Sequence, residues 1–152
     1  MPKRSKEDTQ ATINLILDTA TKQLLESGYE AMSYTTLSKE TGISRTGISH
    51  HFSKKTDFLE ALQARLIKQF AEQLDFKNSL TDFNHSWING LEKKRFRAIL
   101  TLILSQIGKG EREQQFSRGF LSQITQTSIT IFGDDAQKTL DTLVGMSFIA
   151  LI

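Results

Sequence analysis

Apolar positions recur every three or four residues along most of this chain, and the pattern breaks at glycines and short polar runs, as in a series of helices joined by turns. Ile13, Ile16, Leu17, Ala20 and Leu24 lie on one stripe and predict a first helix over about 9–27, ended by Gly28 in a left-handed cap. A short helix is expected over 34–41. Ser33 can cap it by accepting from an early amide, Met32 can staple onto Leu37, and Gly42 stops it. A third helix over about 45–51 follows at once, capped by Ser44 and stapled by Ile43 on Ile48. Leu59, Leu62, Leu66, Phe70 and Leu74 mark a long helix over about 56–74, roughly 30 Å from end to end. Four more helices are expected over about 80–91, 94–107, 111–132 and 135–152. The last of these is still apolar at Leu151 and Ile152, which calls for a cover.

Composition narrows the reading. The one proline is Pro2, so no later residue is barred from a helix interior, and hairpin signals are missing; the expected class is all-α. With 152 residues, 38% of them hydrophobic, the chain makes one globular unit or two very small ones. The absence of cysteine excludes a disulfide framework, a thiolate zinc site and a cysteine nucleophile. The polar start from Met1 to Asp8 and the lack of a long apolar run point to a cytoplasmic protein with no membrane partner. Net charge is only +2, and the whole surplus falls in residues 1–55, where eight basic residues face six acidic ones. Such a surplus is compatible with nucleic acid without proving it.

The stretch from Ser33 to Lys55 carries the chemistry. A helix, a three-residue turn and a second helix form a helix-turn-helix pattern, with Leu37 and Ile48 as the core of the crossing and Ser38 small enough for close approach. The second helix then turns Arg45, Thr46, Ser49 and His50 outward, and Gly47 offers no side chain to obstruct a backbone or base edge. No carboxylate lies between Ile43 and Lys55, as a helix between two phosphate walls requires. Arg45, Lys54 and Lys55 supply positive charge. Taken alone, the pattern reads also as a small helical hairpin with a solvated basic face.

From about Thr12 to Leu66 the sequence resembles the TetR family of bacterial transcriptional regulators, through Gly28-Tyr29, Gly42-Ile43-Ser44, His50-His51-Phe52 and Lys55. The resemblance implies a three-helix DNA-binding domain over 1–55 and a helical dimerisation domain over 56–152, with or without a small-molecule ligand. It further implies a homodimer on double-stranded DNA, at a palindromic inverted-repeat operator, acting as a repressor. The DNA-facing residues it implies are Ser33, Thr35, Thr36, Ser44, Arg45, Thr46, Gly47, Ser49, His50, His51, Lys54 and Lys55. Lys55 is expected at a phosphate. Ser49 stands where the family often has a tyrosine that reaches the backbone, and Thr46 replaces a common glycine and can touch a thymine methyl or a base edge.

The C-terminal half shows no family motif and is read from its stripes. Phe116, Phe120, Ile124 and Ile131 on one helix, with Leu140, Leu143, Val144 and Phe148 on the next, fit a four-helix bundle across a two-fold axis; the competing reading packs both stripes inside one chain. Phe70, Phe83, Trp87 and Phe96 are the candidate lining for a small apolar ligand, although an aromatic stripe is more often core. The basic run Lys93-Lys94-Arg95 with Arg97 is assigned no function. His50 and His51 point about 100° apart on a helix and His85 is distant in sequence, so no metal site and no cofactor are expected. Nor does any nucleophile–base arrangement suggest an enzyme. The rival readings are a helical carrier of small apolar ligands and a protein-interaction adaptor without DNA binding.

Overall fold

The computed structural model describes residues 5–152, which hold eight α-helices and no strand. They are α1 (Lys6–Ser27), α2 (Tyr34–Thr41), α3 (Arg45–His51), α4 (Thr56–Ala71), α5 (Leu80–Gly90), α6 (Lys94–Ser105), α7 (Glu111–Phe132) and α8 (Asp135–Leu151). The polar start from Met1 to Arg4, Pro2 included, lies outside the described residues. Two boundaries differ from expectation by three residues, each for an identifiable reason. α1 begins three residues early because the Ser5 hydroxyl accepts from the Asp8 amide at 3.0 Å, with Glu7 and Asp8 suitably placed at the positive end of the helix. α4 stops at Ala71, about 24 Å long, because its last turn tightens: the Gln73 and Leu74 amides donate to Phe70 and Ala71. Gly28 has the positive φ expected of it, 88°, but a ψ of 165°, so it leaves α1 in an extended rather than a left-handed helical conformation.

The chain divides inside α4, between Leu62 and Gln63, into two compact units. In the first, Ile16, Ala20 and Leu24 of α1, Leu37 of α2, Ile48 of α3 and Phe58, Leu59 and Leu62 of α4 are buried together. Gly42, at φ 75° and ψ 3°, supplies the left-handed residue that lets α3 start with only three residues between it and α2. Phe52 stacks on Phe58 with ring centroids 4.7 Å apart and closes this core.

The second unit is built round aromatic rings. Phe70 lies 4.4 Å from Phe96, 5.1 Å from Trp87 and 5.3 Å from Phe120, and Phe83 is 6.3 Å from Trp87. Phe70, Phe83, Trp87 and Phe96 are each 0% exposed. The four rings, offered by the sequence as a ligand lining, pack on one another in the core of this unit. A ligand-sized groove of about 430 Å³ lies elsewhere, lined by Ile107, Gln114, Arg118, Leu121, Thr125 and Gln137 among others.

The dimer stripes divide. Phe116, Phe120, Ile124, Leu140 and Leu143 are at most 5% exposed in the single chain, so they hold α7 and α8 to their own unit. Of that set Ile131 and Phe148 remain exposed and Val144 half-buried, and Met146 and Ile149 join them on the surface. Polar groups inside the unit are matched in pairs. The Trp87 indole N–H donates to the Ser147 hydroxyl at 2.8 Å, Ser147 donates onward to the Leu143 carbonyl at 2.7 Å, and Ser117 donates to the Ile103 carbonyl at 2.6 Å. Arg97, from the basic run, donates to the Leu91 carbonyl at 3.0 Å and the Ala150 carbonyl at 3.4 Å.

Ser147→Ala leaves the buried indole N–H of Trp87 without an acceptor. Urea unfolding is expected to show a loss of about 1–3 kcal/mol, with the far-ultraviolet spectrum unchanged.

Candidate nucleic-acid interface

A seven-residue helix depends on its caps and its burial, and α3 has both. Ser44 accepts from the Gly47 amide at 3.0 Å, and Ile48 is 0% exposed against the core. With Ile48 inward, the positions i, i+1, i+4 and i+5 that begin at Arg45 must face outward. Arg45, Thr46 and His50 are exposed and Ser49 is half-buried. The four share one side of α3. Gly47 has a packing reason beside the absence of a side chain: a Cβ there would lie 3.0 Å from Ile43 Cγ2 and 3.1 Å from Ser44 Oγ.

The remaining sequence-predicted residues divide into those that face solvent and those already engaged. Thr35 and Lys54 are exposed. Ser33 caps α2, accepting from the Thr36 amide at 3.1 Å, while the Thr36 hydroxyl accepts from the Ser33 amide at 2.9 Å and donates to Gln23 Oε1 at 2.6 Å. These two hydroxyls hold α2 to itself and to α1. Ser49 donates to the Thr46 carbonyl at 3.1 Å, a bond within the helix. The His50 and His51 rings meet edge to face at 5.1 Å, and no group of three or more His, Cys, Asp or Glu among the described residues could hold a metal ion. Lys55 has its ammonium 4.4 Å above the Tyr29 ring and 3.5 Å from the Glu30 carbonyl, so the residue expected at a phosphate is braced from behind.

Around this face the charges are arranged with economy. Glu40 of α2 is bound by Lys22 Nζ at 2.6 Å and Gln23 Nε2 at 2.9 Å, bonds that hold its carboxyl below the usual range and raise Lys22. Asp57, in the first turn of α4, accepts from the Lys54 amide at 2.9 Å and the Ser53 hydroxyl at 3.3 Å. Neither Asp57 nor Tyr34, whose hydroxyl donates to the Phe52 carbonyl at 2.7 Å, was singled out by sequence. Asp57 could have been found, since a carboxylate three residues after Lys54 is the local signature of an amide cap. Tyr34 could not: its partner lies 18 residues away.

An exposed, basic, carboxylate-free face on the second helix of a helix-turn-helix defines a class, that of DNA-binding regulators. Comparison with known proteins agrees. Residues 16–62 match the model described as bacterial regulatory proteins, tetR family, and residues 63–151 match the tetracycline repressor LuxT C-terminal domain. The chain therefore belongs to the TetR family of transcriptional regulators, in the group carrying the LuxT-type C-terminal domain. Among solved structures it is similar to NalD, the secondary repressor of the MexAB-OprM multidrug efflux pump in Pseudomonas aeruginosa. The TM-score is 0.57 at 19% identity over 96% of this chain and 84% of that one, a likeness that speaks for the fold. Among curated proteins none matches the chain. The family and this neighbour are regulators rather than enzymes. No helix among the described residues is long and apolar enough to cross a membrane.

Replacing Ser33 by alanine removes the acceptor for the Thr36 amide. We expect urea unfolding to report a loss of about 0.5–2 kcal/mol, whereas a hydroxyl that served DNA alone would leave the unfolding curve unmoved.

Proposed function

We propose that this regulator acts as a homodimeric repressor that sets two α3 helices into successive major grooves of an inverted-repeat operator. The observation that carries the reading is the outward side of α3, where Arg45, Thr46, Ser49 and His50 stand together with no carboxylate on the helix. In the major groove Arg45 has the geometry for a guanine edge, and Thr46 can meet a thymine methyl or a base edge. Lys54 and Lys55, just beyond the helix, are suited to phosphates, which fix register but carry no sequence information. Repression then requires only occupancy of the site.

Two-fold symmetry supplies the spacing. Half-sites one helical turn apart ask for recognition helices about 34–36 Å apart, which one copy of α3 cannot provide. One surface that remains apolar in the single chain is the outer side of α8, where Val144 and Phe148 are spaced i, i+4 with Ile149 beside them; Phe148 is 54% and Ile149 71% exposed. A second copy covering this stripe would bury residues that water otherwise meets. NalD is a repressor, which supports the sign of regulation proposed here.

An electrophoretic shift titration across salt concentration tests the DNA reading. Arg45→Ala is expected to cost about 1–3 kcal/mol and to relax preference at one base position, while Lys54→Ala weakens binding on every sequence and lowers the salt slope by about one. Identical behaviour of the two variants would remove the division between base and phosphate contacts. Sedimentation tests the dimer. Phe148→Asp is expected to give a folded monomer with an unchanged far-ultraviolet spectrum, and a variant that sediments as the wild-type dimer would exclude this stripe; Leu143→Asp, by contrast, should unfold the chain because Leu143 is core.

A further inference from the structure

The recognition helix is fixed at its far end by a residue outside it. Phe52 is the C-cap of α3, and its amide donates to the Ile48 carbonyl at 3.0 Å. Its own carbonyl accepts the Tyr34 hydroxyl at 2.7 Å, from the first residue of α2. The rings on either side keep that hydroxyl in place: Tyr34 lies 5.9 Å from Phe58, and Phe52 is stacked on the same ring. Two residues later the Lys54 amide is held by Asp57 of α4 at 2.9 Å, and the Lys55 ammonium rests over Tyr29 of the α1–α2 turn at 4.4 Å. The segment from Phe52 to Lys55 is thus gripped by three separate elements, and its carbonyl end is gripped by a single hydroxyl.

We propose that Tyr34 is a positioning residue for the phosphate contacts of Lys54 and Lys55. The proposal rests on the reading of this face as the DNA interface. A lysine side chain is long and flexible, so the direction in which its backbone leaves the helix decides how much ordering a phosphate contact demands. Hydrogen-bonding the Phe52 carbonyl sets that direction before DNA arrives. Without the hydroxyl, the Phe52 carbonyl loses its donor, and the segment that carries both lysines gains freedom that binding must remove. Burial, with the Asp57 charge behind it, pushes the Tyr34 phenol up from its ordinary value, so the group remains a donor throughout the neutral range.

The experiment uses the full chain and a short fluorescent duplex of mixed sequence, titrated between about 50 and 200 mM salt, with thermal melts of every variant. Tyr34→Phe keeps the ring against Phe58 and removes only the hydroxyl. Its slope of log K against log salt is expected to become shallower by about one, so that a fourfold rise in salt weakens it about three- to fourfold less than it weakens the wild type. Lys54→Ala should flatten the slope similarly, and the double variant should lose less than the sum of the two. A Tyr34→Phe protein with a lowered melting temperature and a wild-type slope would make the residue merely structural and overturn the proposal, as would strict additivity with Lys54→Ala. If Lys54→Ala and Lys55→Ala themselves leave the slope untouched, the interface reading has failed and this proposal falls with it; if they flatten it and Tyr34→Phe does not, only the proposal fails.

Discussion

A helix of two turns has almost no stability of its own, and everything this protein does with DNA depends on α3 being held as a helix by the burial of Ile48. Nucleating so short a segment in water is unfavourable, because several backbone dihedrals are fixed for very few hydrogen bonds. Ile48 is 0% exposed, and fully burying such a side chain is worth about 1.5–3 kcal/mol, which is the scale needed to offset that deficit. Ser44 satisfies an orphan amide at one end and the Phe52 amide closes on the Ile48 carbonyl at the other. With Ile48 turned inward, helical geometry leaves no choice about which side of α3 faces out. The same contact that stabilises the helix therefore selects the residues proposed to read DNA.

Cooperation between unlike interactions recurs in the second unit. Its rings pack on one another, and the polar groups that enter with them are matched individually: Trp87 with Ser147, Ser117 with the Ile103 carbonyl, and Gln63 of α4 with the Phe116 carbonyl at 2.9 Å. The last bond works because Gly119 leaves space; a Cβ there would stand 2.5 Å from Gln63 Nε2. Gln106 departs from this order. It is 0% exposed, and while its amide nitrogen donates to Leu102 and Ser105, its Oε1 has no partner.

What the sequence disclosed follows from the range of each interaction. The caps at Ser33 and Ser44 act over three residues, and the outward set on α3 follows from the position of Ile48, so all were readable along the chain. The brace from Tyr34 to Phe52 spans 18 residues and has no local trace. The dimer stripes illustrate a different limit. An apolar position on a helix has the same spacing whether its cover comes from the same chain or another, and α8 is apolar on more than one side: Leu140 and Leu143 turn inward while Phe148 and Ile149 turn out. Sequence could identify the apolar residues of α8 but not allocate them, because the allocation depends on where α5, α6 and α7 come to lie.

Electrostatics on the DNA-binding unit show how a net charge of only +2 can suffice. What matters to a phosphate is the charge within a Debye length of it, about 8–10 Å at physiological salt, and not the sum over the chain. Glu40 on α2 would count against DNA if left alone, but Lys22 and Gln23 of α1 tie it back. Its depressed pKa means that this tie is present above the carboxylate's unfolded value and is lost as pH falls through the folded one. The raised pKa of Lys22 means that the tie persists from acid up to that lysine's unfolded value and is lost as pH rises through the folded one. The pair is therefore intact across the whole neutral range, where a regulator must bind. Both groups are exposed, so the tie adds little to stability; its effect is to turn an acidic side chain toward α1. Asp57 is spent in the same way, on the Lys54 amide. The acids near the interface are consumed by the scaffold that positions it, and the bases on α3 and at Lys54 are left to act.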